Sequence, residues 1–168
     1  SDINNGRLNM KLLFIINPVA GKGKTRDAIP IIEKFCTARN IEYAIHETNA
    51  AGEATQVVRY TCTGYSAVIA AGGDGTVLEV TNGLSGTDIP LGILPLGSGN
   101  DFARALNMPI GFSNVERALN IIADKPAFPV DLAKFNGRVF LNIASIGFDA
   151  EIVRDLHKIK RFIKGKSA

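Results

Sequence analysis

Ser66-Ala-Val-Ile-Ala-Ala-Gly-Gly-Asp-Gly-Thr-Val-Leu-Glu-Val80 passes from a short apolar run, through a glycine cluster, into helix-forming sequence. The run over 66–71 does not alternate, which suits a strand buried on both faces. Gly72-Gly73 stops it, and Thr76 to Leu84 reads as a helix. The same order recurs on either side. Lys11-Leu-Leu-Phe-Ile-Ile16 is an apolar strand ending at Asn17-Pro18. A helix follows from about Thr25 to Arg39, with Ile29, Ile32, Phe35 and Cys36 on one face and Pro30 in its first turns. Ile41 to His46 and Pro90 to Leu94 read as strands; Glu53 to Thr63, Asn100 to Leu106 and Asn114 to Ala123 read as helices. Strands alternating with helices predict an α/β domain of three layers around a mostly parallel sheet.

Beyond residue 126 the alternation ends. Phe128 to Phe135 and Arg138 to Ser145 flank Asn136-Gly137, a strong hairpin signal, so an antiparallel section begins here. A last helix is expected from about Asp149 to Ile163. Its apolar positions Ile152, Leu156, Ile159 and Ile163 share one face, while Arg154, Lys158 and Arg161 lie on another. Such a helix suits either an anionic membrane surface or packing on its own domain.

Composition narrows the class. The chain has 168 residues, enough for one well-buried domain; it is 46% hydrophobic and 21% charged, hence globular. A net charge of +3 is too weak to argue for nucleic acid. Six Lys or Arg against one Asp fall within 154–168. No apolar run reaches the ~18–20 residues of a membrane span, and Ser1 to Arg7 lacks the layout of a signal peptide. Cys36 and Cys62 lack metal spacing and read as reduced core residues of a cytoplasmic protein.

Three glycine loops follow three of the strands: Asn17-Pro-Val-Ala-Gly-Lys-Gly-Lys24, Gly72-Gly-Asp-Gly-Thr76 and Leu96-Gly-Ser-Gly-Asn-Asp101. Each stands at a strand's carboxyl end just before a helix, the edge where open α/β sheets bind ligands. Glycine lets backbone approach a ligand, and a helix start offers free N–H groups; both favour phosphate. Walker A fails because Pro18 stands where its first Gly is needed. Gly-x-Gly-x-x-Gly fails three times, at Arg26, Leu78 and Phe102. Asp74 suits orienting or deprotonating an acceptor hydroxyl, or contacting Mg²⁺; the alternative is a cap on the helix near Thr76. Thr76 and Glu79 match a capping box. His46 and His157 show no partner pattern.

Four motifs in order carry a resemblance: Asn17-Pro-Val-Ala-Gly21, Gly72-Gly-Asp-Gly-Thr-Val-Leu-Glu-Val80 with Asn82-Gly83-Leu84, Leu94-Pro-Leu-Gly-Ser-Gly-Asn-Asp-Phe-Ala-Arg104, and Asn142-Ile-Ala-Ser-Ile-Gly-Phe-Asp-Ala150. Over about residues 11–163 the chain resembles the diacylglycerol kinase catalytic domain, shared with bacterial lipid kinases and sphingosine kinases. The resemblance implies an ATP-dependent lipid kinase using Mg²⁺, with diacylglycerol as the expected acceptor at a membrane surface. It implies that Asn17, Pro18, Gly21, Gly72, Gly73, Asp74, Gly75, Thr76, Gly97, Ser98 and Gly99 hold the nucleotide, with Asp74 catalytic. Lys22, Gly23 and Lys24 extend the first loop, the lysines either neutralising phosphate or standing in solvent. Thr48 matches a nucleotide-contacting Thr of bacterial members, or caps a helix before Glu53. Asn100 and Asp101 resemble the family's substrate-side pair, or Asn100 is an N-cap. Lys160 or Arg161 falls in the region where the resemblance to sphingosine kinases implies nucleotide-binding arginines. No metal ligands are assigned.

The expected organisation is an α/β nucleotide-binding domain over 1–126 and, over 127–168, the first hairpin and a basic helix of a second, β-rich domain whose remainder is missing. The expected location is the cytoplasm, peripheral at the membrane's inner face. An open edge at 127–146 would allow a homodimer. Two rival readings remain: an NAD kinase-like enzyme with a soluble acceptor, and a nucleotide-binding module without catalysis.

Overall fold

The computed structural model describes residues 10–141. Four strands, β1 (Lys11–Ile16), β2 (Glu42–Glu47), β3 (Ala67–Gly72) and β4 (Leu91–Pro95), form one sheet in the order β2-β1-β3-β4. Every pairing is parallel, with Phe14 opposite both Ile45 and Ile69, and Ala71 opposite Leu94. Successive side chains alternate between two covered faces, which explains why β1 is apolar throughout. Leu12, Phe14 and Ile16 pack with Ile69 and Leu94 against α1 (Ile29–Ala38) and α5 (Val115–Asp124). Leu13 and Ile15 pack with Val68 and Ile93 against α2 (Glu53–Thr61), α3 (Asp74–Leu84) and α4 (Asp101–Ala105). The expected three layers are therefore present. Phe14, Ile15 and Ile16 are wholly buried, each contributing roughly 1.5–3 kcal/mol through removal from water.

The strand order places the site. From β1 the chain goes to β2 on one side, and then to β3 on the other. The connections leaving β1 and β3 thus run to opposite faces, and a crevice opens between them at their carboxyl ends.

Several boundaries differ from expectation. The helix expected from Thr25 begins as a 3-10 segment over Ala20–Ala28, and α1 starts only at Ile29 with Pro30 in its first turn. Gly21, Lys22 and Gly23 all have positive φ (56°, 61° and 85°), which no helical pattern anticipates. The strand expected over 128–135 shrinks to β5 (Ala133–Phe135), paired antiparallel with β6 (Arg138–Phe140) across Asn136-Gly137. Pro126 and Pro129 lack N–H groups and cannot enter a ladder. Phe128, Val130, Leu132 and Phe135 are exposed. The end of the second expected strand, the Asn142–Ala150 motif and the basic helix lie outside the described residues. Among the described residues, no helix is long and apolar enough to cross a membrane.

Candidate functional site

The three glycine loops meet at the carboxyl ends of β1, β3 and β4, and side chains and backbone tie them together. Asn17 closes the first loop on itself by accepting the Val19 N–H on Oδ1 at 3.1 Å, and its Nδ2 donates to the Thr76 hydroxyl of the second loop at 3.2 Å. Its own N–H donates to the Ala71 carbonyl at 3.0 Å. The third loop is pinned to the second by N–H donation from Leu96 and Gly97 to the Gly72 carbonyl, at 2.9 and 3.0 Å.

Two glycines are required by this packing. Gly21 has a φ of 56°, and a Cβ there would run into the Leu96 carbonyl of the third loop. A Cβ on Gly97 would lie 2.8 Å from the Gly73 nitrogen, with the Gly73 Cα nearer still. The backbones of loops two and three touch, leaving no room for a side chain.

Asp74 does not cap its own helix. Gly73 is the N-cap of α3 and Asp74 the first helical residue. Its Oδ1 instead accepts the Phe102 N–H at 3.2 Å, in the first turn of α4. Its Oδ2 faces Gly99, where an added Cβ would come within 2.7 Å. The expected Thr76/Glu79 capping box does not form either. Glu79 accepts the N–H groups of Gly52 and Ala54 at 2.9 and 3.3 Å, capping α2 from across the helix pair.

Asn100 occupies the N-cap position of α4, but its side chain makes no cap bond. The carboxamide staples the third loop instead: Oδ1 accepts the Gly97 N–H at 3.0 Å and Nδ2 donates to the Gly97 carbonyl at 2.7 Å. Asn100 is buried, with a φ of 62°. Asp101 is exposed and pairs with Arg104, which also donates to the Gly99 carbonyl.

Thr48 is not a helix cap. Its N–H and hydroxyl both donate to the Ile16 carbonyl, at 2.9 and 3.3 Å, so it sits beside the first loop at the end of β1. The turn after it is closed by Glu53, which accepts N–H groups from Asn49 and Ala50 and bonds the His46 ring at 2.8 Å. The Asn49 N–H foremost, then the His46 side chain, hold the Glu53 carboxyl below its ordinary range. His46 thus has a partner that its sequence context did not reveal. Lys22, Lys24 and Ser98 are exposed at the mouth of the loops, and neither lysine pairs with a carboxylate among the described residues.

Beside Asp74 the surface opens into a concavity of about 510 Å³, lined by Asp74, Gly75, Leu78, Asp101, Phe102, Phe140 and Leu141. Two carboxylates thus stand among four large apolar side chains. Leu78, Phe140 and Leu141 had no assigned role in the sequence; only their approach in space marks them. Among the described residues, a Cβ on Gly75 would meet no atom within 4 Å.

Residues 11–135 match the family model of the diacylglycerol kinase catalytic domain. A diacylglycerol kinase of Bacillus subtilis (strain 168) is 35% identical over 159 residues, covering 92% of this chain and 52% of that protein. One from Staphylococcus haemolyticus (strain JCSC1435) is 37% identical over 139 residues, covering 80% of this chain and 41% of that protein. A solved structure of a diacylglycerol kinase from Bacillus anthracis str. Sterne superposes with a TM-score of 0.69 at 37% identity, over 92% of this chain and 53% of that one. The chain spans about half the length of the curated relatives it matches.

Proposed function

The chain belongs to the family of the diacylglycerol kinase catalytic domain, and from that premise we propose that it supplies the nucleotide side of a lipid kinase, which transfers the γ-phosphoryl group of ATP to the hydroxyl of a diacylglycerol. The observation that supports this best is the meeting of three interlocked glycine loops beside a concavity whose wall holds Asp74 among apolar side chains.

In this reading Asn17 to Lys24, Gly72 to Thr76 and Gly97 to Gly99 hold the phosphates, with Thr48 beside the first loop. Backbone N–H groups and the start of α3 offer donors to anionic oxygen. Lys22 and Lys24, free of carboxylate partners among the described residues, supply positive charge. Asp74 and Asp101 fit a Mg²⁺ ion held by one or two carboxylates and by substrate phosphates; among the described residues no group of three acidic, His or Cys residues makes a dedicated cage. Bound there, Mg²⁺ would neutralise charge on the transferred group. Asp74 orients the acceptor hydroxyl and takes its proton as the oxygen bonds to phosphorus and ADP departs. Leu78, Phe102, Phe140 and Leu141 cover the acceptor's aliphatic part and exclude water. Asp101 and Asn100 shape the acceptor side, Asn100 by holding the third loop. The protein works peripherally at the inner face of a membrane.

Calorimetry with ATP tests the first half: weak but measurable heat is expected, and none at millimolar ATP would refute the assignment of the loops. Transfer of label from γ-labelled ATP to 1,2-dioctanoylglycerol, with NAD as the competing acceptor, tests the second. Asp74→Asn is expected to keep the melting temperature, because an amide oxygen still accepts the Phe102 N–H, while turnover falls by ~10²-fold. Label appearing in NAD and not in lipid would overturn the lipid reading.

A further inference from the structure

The β5–β6 hairpin is held to the α/β layers by an unusual contact. All three residues of β5 are exposed, and in β6 only Val139 is buried. Among the described residues, one side chain meets the Val139 backbone, that of Asn82 in α3. Asn82 Oδ1 accepts the Val139 N–H at 3.1 Å, and Nδ2 donates to the Val139 carbonyl at 3.0 Å. Residues facing one another in an antiparallel ladder exchange such a pair of bonds through their backbones; here a side-chain carboxamide takes the place of one backbone. The same Nδ2 donates to the Leu78 carbonyl at 2.9 Å, one turn earlier in α3. Both amide hydrogens and the oxygen are engaged, so the side chain has one orientation.

The consequence lies next door. Phe140 and Leu141, the two residues after Val139, line the same concavity as Asp74 and Asp101, and so does Leu78. We infer that Asn82 is a positioning residue for the acceptor site: it fixes the backbone at Val139 and thereby sets Phe140 and Leu141 as the apolar wall beside the two carboxylates. The acceptor role rests on the function proposed above, whereas the latch rests on the contacts alone. No other proteinogenic side chain supplies the same donor and acceptor at this reach. Asp offers only acceptors and would set a carboxylate against two carbonyls. Gln carries the same amide one methylene further out.

The test uses Asn82→Ala, which favours the helix and removes all three bonds, and Asn82→Gln, which retains the amide. Hydrogen exchange at the Val139 N–H should rise by ~10-fold in Asn82→Ala, the scale of one to two lost hydrogen bonds. Amides of β1 to β4 should be unchanged, and Asn82→Gln should recover part of the protection. Affinity for 1,2-dioctanoylglycerol in nonionic micelles should fall by ~10-fold while affinity for ADP holds. Unchanged exchange at Val139 would overturn the latch. Faster exchange with unaltered dioctanoylglycerol binding, or with equal losses for both ligands, would overturn the positioning role. If the unsubstituted chain binds ADP but no dioctanoylglycerol, the proposed acceptor is refuted together with the positioning role, and the exchange rates still decide the latch.

Discussion

Replacing Gly97 by Ala should loosen the site without touching a charged or hydroxyl group. The added Cβ would stand 2.8 Å from the Gly73 nitrogen and 3.1 Å from Asn100 Oδ1, with the Gly73 Cα closer than either. Carbon atoms in contact prefer about 3.5–4.0 Å, so one loop must retreat. Neither loop is free to do so: Leu96 and Gly97 both donate to the Gly72 carbonyl, and Asn100 grips Gly97 from both sides. Breaking one or two such bonds costs about 1–3 kcal/mol, as does overpacking in general. Ala offsets about 0.4–1 kcal/mol by restricting the unfolded chain. The net loss is about 1–2 kcal/mol, which lowers Tm by about 2–8 °C at this chain length. Calorimetric melting of Gly97→Ala beside Gly75→Ala gives the comparison. At Gly75 a Cβ meets nothing within 4 Å among the described residues and the residue is helical, so stability should hold or rise by up to about 1 kcal/mol. A Gly97→Ala chain melting at or above the unsubstituted one would show slack between the loops and refute the close approach.

Three further outcomes follow from the contacts. Glu79→Ala removes the acceptor for the Gly52 and Ala54 N–H groups and should cost ~0.5–2 kcal/mol in urea unfolding, the scale of a lost cap; an unchanged midpoint would mean water replaces it. Glu53 has a lowered pKa, held down by the Asn49 N–H and then by His46. Its contribution is present above its ordinary value of 4.5 and is lost as pH falls through the lower folded value. Exchange protection at Asn49 and Ala50 should therefore fade only below pH 4.5, and fading already at neutral pH would refute the part given to the Glu53 carboxylate. Burial raises the Cys36 thiol to about 11, so a thiol reagent at pH 7 should leave it unmodified until the chain unfolds; rapid labelling of folded Cys36 would contradict its burial.

The strands and the loops after them were legible because their signals are local. Lys11 to Ile16 is apolar throughout and stops at Asn17-Pro18, and a chain buried on both faces permits little else. Hydrogen-bond partners were not legible, because they lie far away in sequence. Thr76 and Glu79 carry the local pattern of a capping box, yet Glu79 finds Gly52, 27 residues back, and Thr76 finds Asn17, 59 residues back. His46 looked unpartnered because Glu53 comes within reach only when the turn after β2 closes. The first loop misled for another reason. Lys22 is left-handed between two left-handed glycines, a conformation costing a β-carbon residue about 1–2 kcal/mol. Local propensity argues against it, and the neighbouring Gly21 runs close to the Leu96 carbonyl of the third loop, a partner distant in sequence.

At Asp74, holding a helix and lining the concavity are compatible. The sequence offered one helix to cap, the one Asp74 itself begins. The fold brings a second, α4, and one carboxylate oxygen goes to the Phe102 N–H while the other stays beside Gly99 on the concavity. Tying α4 to the second loop needs only an acceptor, which an amide supplies as well as a carboxylate. Orienting and deprotonating a hydroxyl needs the negative charge, which an amide lacks. The observed contact and the proposed chemistry therefore draw on different properties of one side chain, and substitution by Asn separates them where substitution by Ala would remove both. The same separation holds for Asn82, whose latch needs a donor and an acceptor but no charge. α3 thus carries Asp74, the proposed reacting group, at its first turn and Asn82, which holds Val139, two turns later, so displacing α3 would move both sides of the concavity together.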